Sequence, residues 1–306
     1  MVGSLCHIWM SIIPQKHHVL SPLIIACLAA TWLIWGSTYL AIRFALDGFT
    51  PFILMGTRFS IAGALLFVWM RLRGAALPTR LQWRNACIVG SLMLVGGMGG
   101  TATAELTVGS GLVVAFIAVS PLLLVLLHLT VGIYPPRGEL LGVLVGLCGV
   151  VLLTHGVGFQ HSPNGIWLLV IATSCWSLGS FLSQRQCPLA PGAMGFATQM
   201  LCGGAVLLGL ALLHGESFRL TASSTAWSAW LYLTVFGSLI GFNAYMVLLS
   251  RASPGIATSY SYVNPIIAML LGVSLGHETI TLREWSAAGI TLAGVAIVLI
   301  SRRRNT

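Results

Sequence analysis

The sequence predicts an all-α membrane protein, ten transmembrane helices arranged as two inverted five-helix repeats. Three observations carry this prediction. Hydrophobic residues make up 57% of the 306-residue chain and charged residues only 7%, with a mean hydropathy of +0.94. That is too little charge to cover a soluble globule of this size. Long apolar stretches recur from end to end, separated by short polar breaks. Finally, residues 111–121 (GLVVAFIAVSP) and 255–265 (GIATSYSYVNP) read as one helix written twice, each with a proline deep inside an apolar run.

The apolar segments fall at 22–45, 51–70, 86–103, 109–131, 140–154, 165–182, 196–213, 226–249, 255–276 and 286–300. A span needs about 20 residues, so the remaining chain suffices only for the ends and short loops, with no room for a soluble domain. The expected organisation is an N-terminal cytoplasmic segment (1–21), a first repeat (22–157) and a second repeat (165–301). The first apolar segment lacks a flanking Lys/Arg cluster and many further spans follow it, so it reads as a retained span and not a cleaved signal. Residues 2–14 are too few to cross.

Orientation follows from the basic residues, which are kept preferentially in the cytoplasm. With the N-terminus inside, the cytoplasmic set is Lys16, Arg71, Arg73, Arg80, Arg84, Arg137, Arg185, Arg251, Arg302, Arg303 and Arg304, against Arg43, Arg219 and Arg283 outside. Both termini are therefore expected in the cytoplasm. The same placement explains the net charge of +9 without nucleic acid, because the basic residues sit at span ends and form no extended patch. Five spans per half is an odd number, so the second half enters the membrane in the opposite sense to the first. The seven cysteines form no CxxC pair and the histidines lack ligand spacing, so neither a metal nor a cofactor is expected.

Further echoes occur in the same order in both halves. Trp35–Gly36–Ser37 finds a looser counterpart in Leu178–Gly179–Ser180, and LCGVVLL (147–153) one in LAGVAIV (292–298). With the opening 32–37 (WLIWGS), the second-span Arg58–Phe59, the paired Pro121 and Pro265, and Gly276–His277–Glu278, the chain resembles the EamA-type transporters of the drug/metabolite transporter superfamily from about residue 22 to 304. That resemblance implies exporters or permeases for small polar metabolites, amino acids or drugs, with a central cavity between the halves. The chain departs from the family where Glu278 follows the second proline helix. The aligned position in the first half is Ile133, although the family usually has an acidic residue in both. Glu278 is expected either to anchor a helix end, in which case the first half must do so differently, with Glu139 as the candidate, or to be a solvated loop carboxylate.

Candidate substrate-binding residues are the polar groups within spans, which in lipid must face a partner or a cavity. The ninth segment is richest, with Thr258, Tyr262 and Pro265 on one face and Asn264 directly before the proline, where the backbone is biased away from helix. Ser120–Pro121 is its plainer counterpart, so the polar work is expected to concentrate in the second half. Trp35 and Tyr39, with Trp32, form a stripe suited to stacking on substrate or to helix packing. Ser37, Trp176, Ser177, Ser180, Asn243 and Tyr245 complete the set. For any single hydroxyl, interhelical bonding worth roughly 0.6 kcal/mol is the competing reading. Arg58, about 10 Å into the second span, is either a counter-charge near the outer mouth or a partner of Asp47 or helix carbonyls. The small-xxx-small spacings Gly138, Gly142, Gly146 and Gly96, Gly100 allow close helix approach, within the bundle or in a dimer; monomer and homodimer both fit.

No Asp or Glu falls mid-span, since Asp47, Glu105, Glu139, Glu216, Glu278 and Glu284 map to loops or span ends. A proton-driven pump for cationic drugs usually needs a buried carboxylate. The sequence therefore favours alternating-access transport of a neutral or zwitterionic metabolite. Cationic drug efflux is the alternative, a non-transporting subunit a lesser one, and a membrane enzyme lacks a reactive cluster. The expected setting is a bacterial inner membrane.

Overall fold

The computed structural model describes residues 21–160, 162–217, 221–252, 256 and 259–303. The N-terminal segment 1–20, and Thr258 of the candidate site, lie outside the described residues. Among the described residues there is no strand, and eight helices are long and apolar enough to cross a membrane. They are α1 (Pro22–Leu46), α2 (Pro51–Leu72), α3 (Arg80–Ala104), α4 (Ser110–Thr130), α5 (Arg137–Thr154), α6 (Pro163–Arg185), α7 (Ala193–Leu213) and α8, which runs from Ser224 through Leu248. A shorter apolar helix, α9 (Tyr260–Ser274), and a closing helix, α10 (Leu282–Arg303), follow.

Local chemistry sets the helix ends. Proline occupies the first turn of α1, α2 and α6, where its missing N–H is not required. Thr79 and Gln82 form a reciprocal capping box ahead of α3, and the Ser223 hydroxyl caps α8 at Ala226 N. Gly132, at φ +77°, ends α4 in the left-handed region.

The helices pair in a pattern that maps onto itself when each is exchanged for the one five places away. α1 packs on α8 and α9, and α6 on α3 and α4. α2 packs on α7, and α5 on α10. Both α3 and α8 carry a π-helical stretch at corresponding positions, Ser91–Gly99 and Leu233–Ile240. These stretches rotate the side chains beyond them relative to a straight α-helix. Lipid-facing positions are exposed apolar side chains such as Leu33, Leu144 and Leu270.

The glycines do their work inside the bundle. A Cβ at Gly142 would lie 2.7 Å from the Gly294 carbonyl oxygen and 2.8 Å from Val298 N, so the α5 and α10 backbones touch. On α3, Gly96 faces Cys175 and Gly100 faces Ala172, both on α6. α2 and α7 meet the same way, with Gly63 against Leu201 N and Gly204 against Ser60 N. Gly142→Val should destabilise the protein by about 2 kcal/mol through overpacking. Gly209→Ala, where no atom lies within 4 Å of the added carbon, should hold or slightly raise stability. Thermal unfolding of both variants in detergent checks the contrast.

Candidate functional site

The two proline-bearing helices break differently. In α4 the helix divides into Ser110–Ile117 and Ser120–Thr130, with a turn at Ala118 and Val119. Pro121 cannot donate to the carbonyl four residues back, and the Ser120 hydroxyl donates to that Ile117 oxygen instead, at 2.7 Å. In α9, Pro265 lies inside a continuous helix directly after Asn264.

Between these helices, α3, α6 and α8 lies a cavity of about 260 Å³. From the first half it takes Tyr39, Thr101, Ser120 and Pro121. From the second it takes Thr173, Trp176, Ser177, Ser180 and Gln184 on α6, Tyr245 on α8, and Tyr260, Ser261, Asn264 and Pro265 on α9. None of the lining residues carries a formal charge. Exposed Gln184 lies at one end of the lining and buried Thr101 and Val114 at the other, so the cavity opens at the end where α6 terminates.

Asn264 is the most telling member. Its residue is 6% exposed, and its Oδ1 has no hydrogen-bond partner among the described residues. A buried amide oxygen left unpaired costs about 1–3 kcal/mol, so this acceptor is suited to a donor brought into the cavity. Tyr245 and Tyr260 meet edge to face with centroids 5.6 Å apart, forming an aromatic wall beside it.

Several residues singled out in the sequence lie elsewhere. Trp35 stands behind that wall, edge-on to Tyr260 at 5.0 Å, and its indole donates to the Gly237 carbonyl. Trp32 donates to Ser259 Oγ at 2.9 Å, so the stripe on α1 is packing except for Tyr39. The Ser37 hydroxyl bonds back to Leu33 O and to Tyr232 Oη. Asn243 is exposed on the outer face of α8, its amide donating to Leu239 O at 2.7 Å, and Tyr262 is half-buried away from the cavity. Two residues apart on α8, Tyr245 and Asn243 stand on opposite sides of the helix, the first toward the cavity and the second outward, and the π-helical stretch before them shifts the phase of both together. Thr101, Thr173 and Gln184 line the cavity without a distinguishing motif; only the polar run 101–105 (TATAE) at the end of an apolar span marks the first of them.

Arg58 lies outside the cavity and is 3% exposed. Its Nε donates to Ser238 Oγ at 2.9 Å, and its guanidinium sits 4.9 Å from the centre of the Phe59 ring. It therefore ties α2 to the π-helical part of α8 through Ser238, not through Asp47.

Of the span-end carboxylates, Glu105, Glu139 and Glu284 are buried, Glu216 and Glu278 are half-buried and bonded to backbone N–H groups, and Asp47 is exposed. Glu278 Oε1 accepts from Ser110 N and Oγ, both at 2.7 Å, and Oε2 accepts from Gly111 N at 3.0 Å. Glu278 thus anchors the N-terminus of α4 across the two halves. Glu284 accepts from Gly158 N and from Thr281, and Glu216 from Ile53 N at 3.0 Å, at the start of α2. Glu105 is 0% exposed, and neither carboxylate oxygen has a hydrogen-bond partner among the described residues.

The sequence profile of the EamA-like transporter family matches the chain twice, over residues 21–155 and 163–300. The uncharacterized inner membrane transporter YedA of Escherichia coli strain K12 is 37% identical over 276 residues, covering 90% of each chain. Protein PecM of Dickeya dadantii is 25% identical over 89% of this chain and 92% of its own. A solved crystal structure of 22% identity shares the fold at a TM-score of 0.63, covering 92% of this chain and 98% of the other.

Ser238→Ala should leave the buried Arg58 guanidinium without its hydroxyl partner and cost about 2 kcal/mol. Lower thermal stability in detergent, with Tyr245 and Asn264 untouched, is the expected reading.

Proposed function

The chain belongs to the EamA-like transporter family of membrane transporters, and on that footing we propose that it moves small polar organic metabolites, amino acids among them, by alternating access. The observation that carries this reading is the uncharged cavity with Asn264 Oδ1 unpartnered at its wall. A volume of about 260 Å³ lies below the roughly 300–1,000 Å³ of sites for drug-sized ligands. A lining with hydroxyls, amides and aromatic rings but no carboxylate suits a neutral or zwitterionic solute better than a cationic drug.

In this reading the chain crosses the membrane ten times, as two inverted five-helix repeats at 22–157 and 165–301 with both termini cytoplasmic. The self-mapping helix contacts and the paired π-helical stretches support the duplication. The likeness to an inner membrane transporter supports a bacterial inner membrane. The cavity then faces the cytoplasm, since Arg185 and Arg251 lie at its open end. Substrate contacts fall to Asn264, Tyr39, Trp176, Ser177, Ser180 and Tyr260, with Pro121 and Pro265 as the helix breaks about which the halves rearrange.

Counterflow in proteoliposomes with radiolabelled amino acids tests the proposal. Wild type should exchange at least one of them. Asn264→Ala should lower the rate about tenfold, the loss of one charge-assisted hydrogen bond, while the outward-facing Asn243→Ala should not. Binding without exchange in wild type would sink the reading.

A further inference from the structure

The closed end of the cavity holds a feature that the metabolite-binding reading does not use. Glu105 follows α3, between the cavity and a crevice lined by Arg43, His277 and Glu278. On the cavity side Tyr39 lies within electrostatic range of Glu105; on the crevice side Glu278 and Arg43 do. The Arg43 guanidinium is committed to the Glu105 backbone carbonyl, not its carboxylate. Beyond Tyr39, the α2 side contributes Arg58, whose guanidinium is held by Ser238. The α6 helix, which packs on the end of α3, has no ionisable side chain from Pro163 to Ile171.

Glu278 is held by two backbone N–H groups and a hydroxyl. Glu105 has no such donor, and an ionised carboxylate without hydrogen bonds cannot be kept from water beside another negative charge. Burial, reinforced by Glu278 and only partly countered by Arg43, holds the Glu105 carboxyl well above the ordinary carboxylate range.

We propose that Glu105 is the proton-carrying group of a gate at the closed end of the cavity, protonated while the gate is shut and yielding its proton to water when the gate opens. Opening breaks the Glu105 O–H bond, gives the proton to bulk water on the newly opened side, and leaves a hydrated carboxylate. Closing takes one proton back from that side. This rests on the alternating-access reading above and supplies it with a proton-linked step that the lining of the cavity lacks.

The test uses purified full-length protein and protons as the only ligand, so it does not depend on finding the substrate. A carboxyl that is protonated when folded and ionised when unfolded confers stability that is complete below the ordinary Glu value and declines as pH rises toward the folded value. Between pH 5 and pH 7.5 the wild-type melting midpoint should fall by about 3 °C or more, and Glu105→Gln should abolish that slope. Glu278→Gln, which removes the neighbouring charge, should shrink the slope without abolishing it. Hydrogen exchange of Ser110–Ile117, corrected for the chemical rate, should accelerate several-fold over the same range in wild type and stay flat in Glu105→Gln. A slope identical in wild type and Glu105→Gln, or exchange equally pH-dependent in both, overturns the gate. If Glu105→Gln does not fold, an unchanged slope in Glu278→Gln overturns it. Failure of amino-acid counterflow with these slopes intact would instead count against the substrate reading alone.

Discussion

The Glu278 carboxylate at the N-terminus of α4 is the interaction on which the closed end of the molecule depends. It comes from the second half and takes three donors from the first, so the halves are joined at that end by charge-assisted bonds in addition to packing. The surroundings admit nothing larger. A Cβ at Gly272 would fall 2.6 Å from Oε2, and one at Gly109 2.9 Å from it. His277, at φ +52°, holds the left-handed conformation that turns the chain so that Glu278 points back at α4. Two glycines and one strained residue are spent on placing a single carboxylate, while the opposite end is left with a cavity.

This asymmetry between ends follows from a departure visible in the first half. The residue set against Glu278 there is Ile133, which is exposed and carries no carboxylate. The contact that locks one end through Glu278 and α4 therefore has no carboxylate counterpart at that position near the other end. A duplicated fold whose repeats were identical would stabilise both closures equally. Here the Glu278 bonds fit a resting state closed at that end, and any transition must break them and recover comparable ones elsewhere.

Much of this was legible in the sequence because lipid leaves few alternatives. Composition and apolar segments gave the helical class, and the repeated proline motif gave the duplication, since a backbone donor missing in lipid needs a specific remedy. The remedy itself was also readable: Ser120 sits beside Pro121 and returns a donor to Ile117. Asn264 could be singled out on the same logic. What was hidden depended on helix rotation and on closure. The π-helical stretch in α8 shifts the phase of every residue beyond it, Tyr245 in the cavity wall and Asn243 on the outer face among them, and no residue in 233–240 (LTVFGSLI) announces it. The fate of Glu105 was hidden for a different reason. A carboxylate at a span end is ordinarily wet, and only the tertiary packing around the end of α3 makes this one dry.

The separation of a neutral cavity from a buried carboxyl has an energetic logic. A charge within the cavity would bind a counter-ion or water tightly in every conformation, and tight binding in both states moves no equilibrium. A protonatable group placed at the closure interacts differently with the two states by construction, because it is dry in one and wet in the other. Its free-energy difference is therefore expressed in the conformational change itself and leaves the substrate site free to hold its ligand weakly enough to release it. Tyr39 is placed to join the two, with its ring in the lining and Glu105 within electrostatic range. On the proposed reading, a solute seated beside Asn264 would influence the closure through that one side chain, without touching the carboxyl that the closure protects.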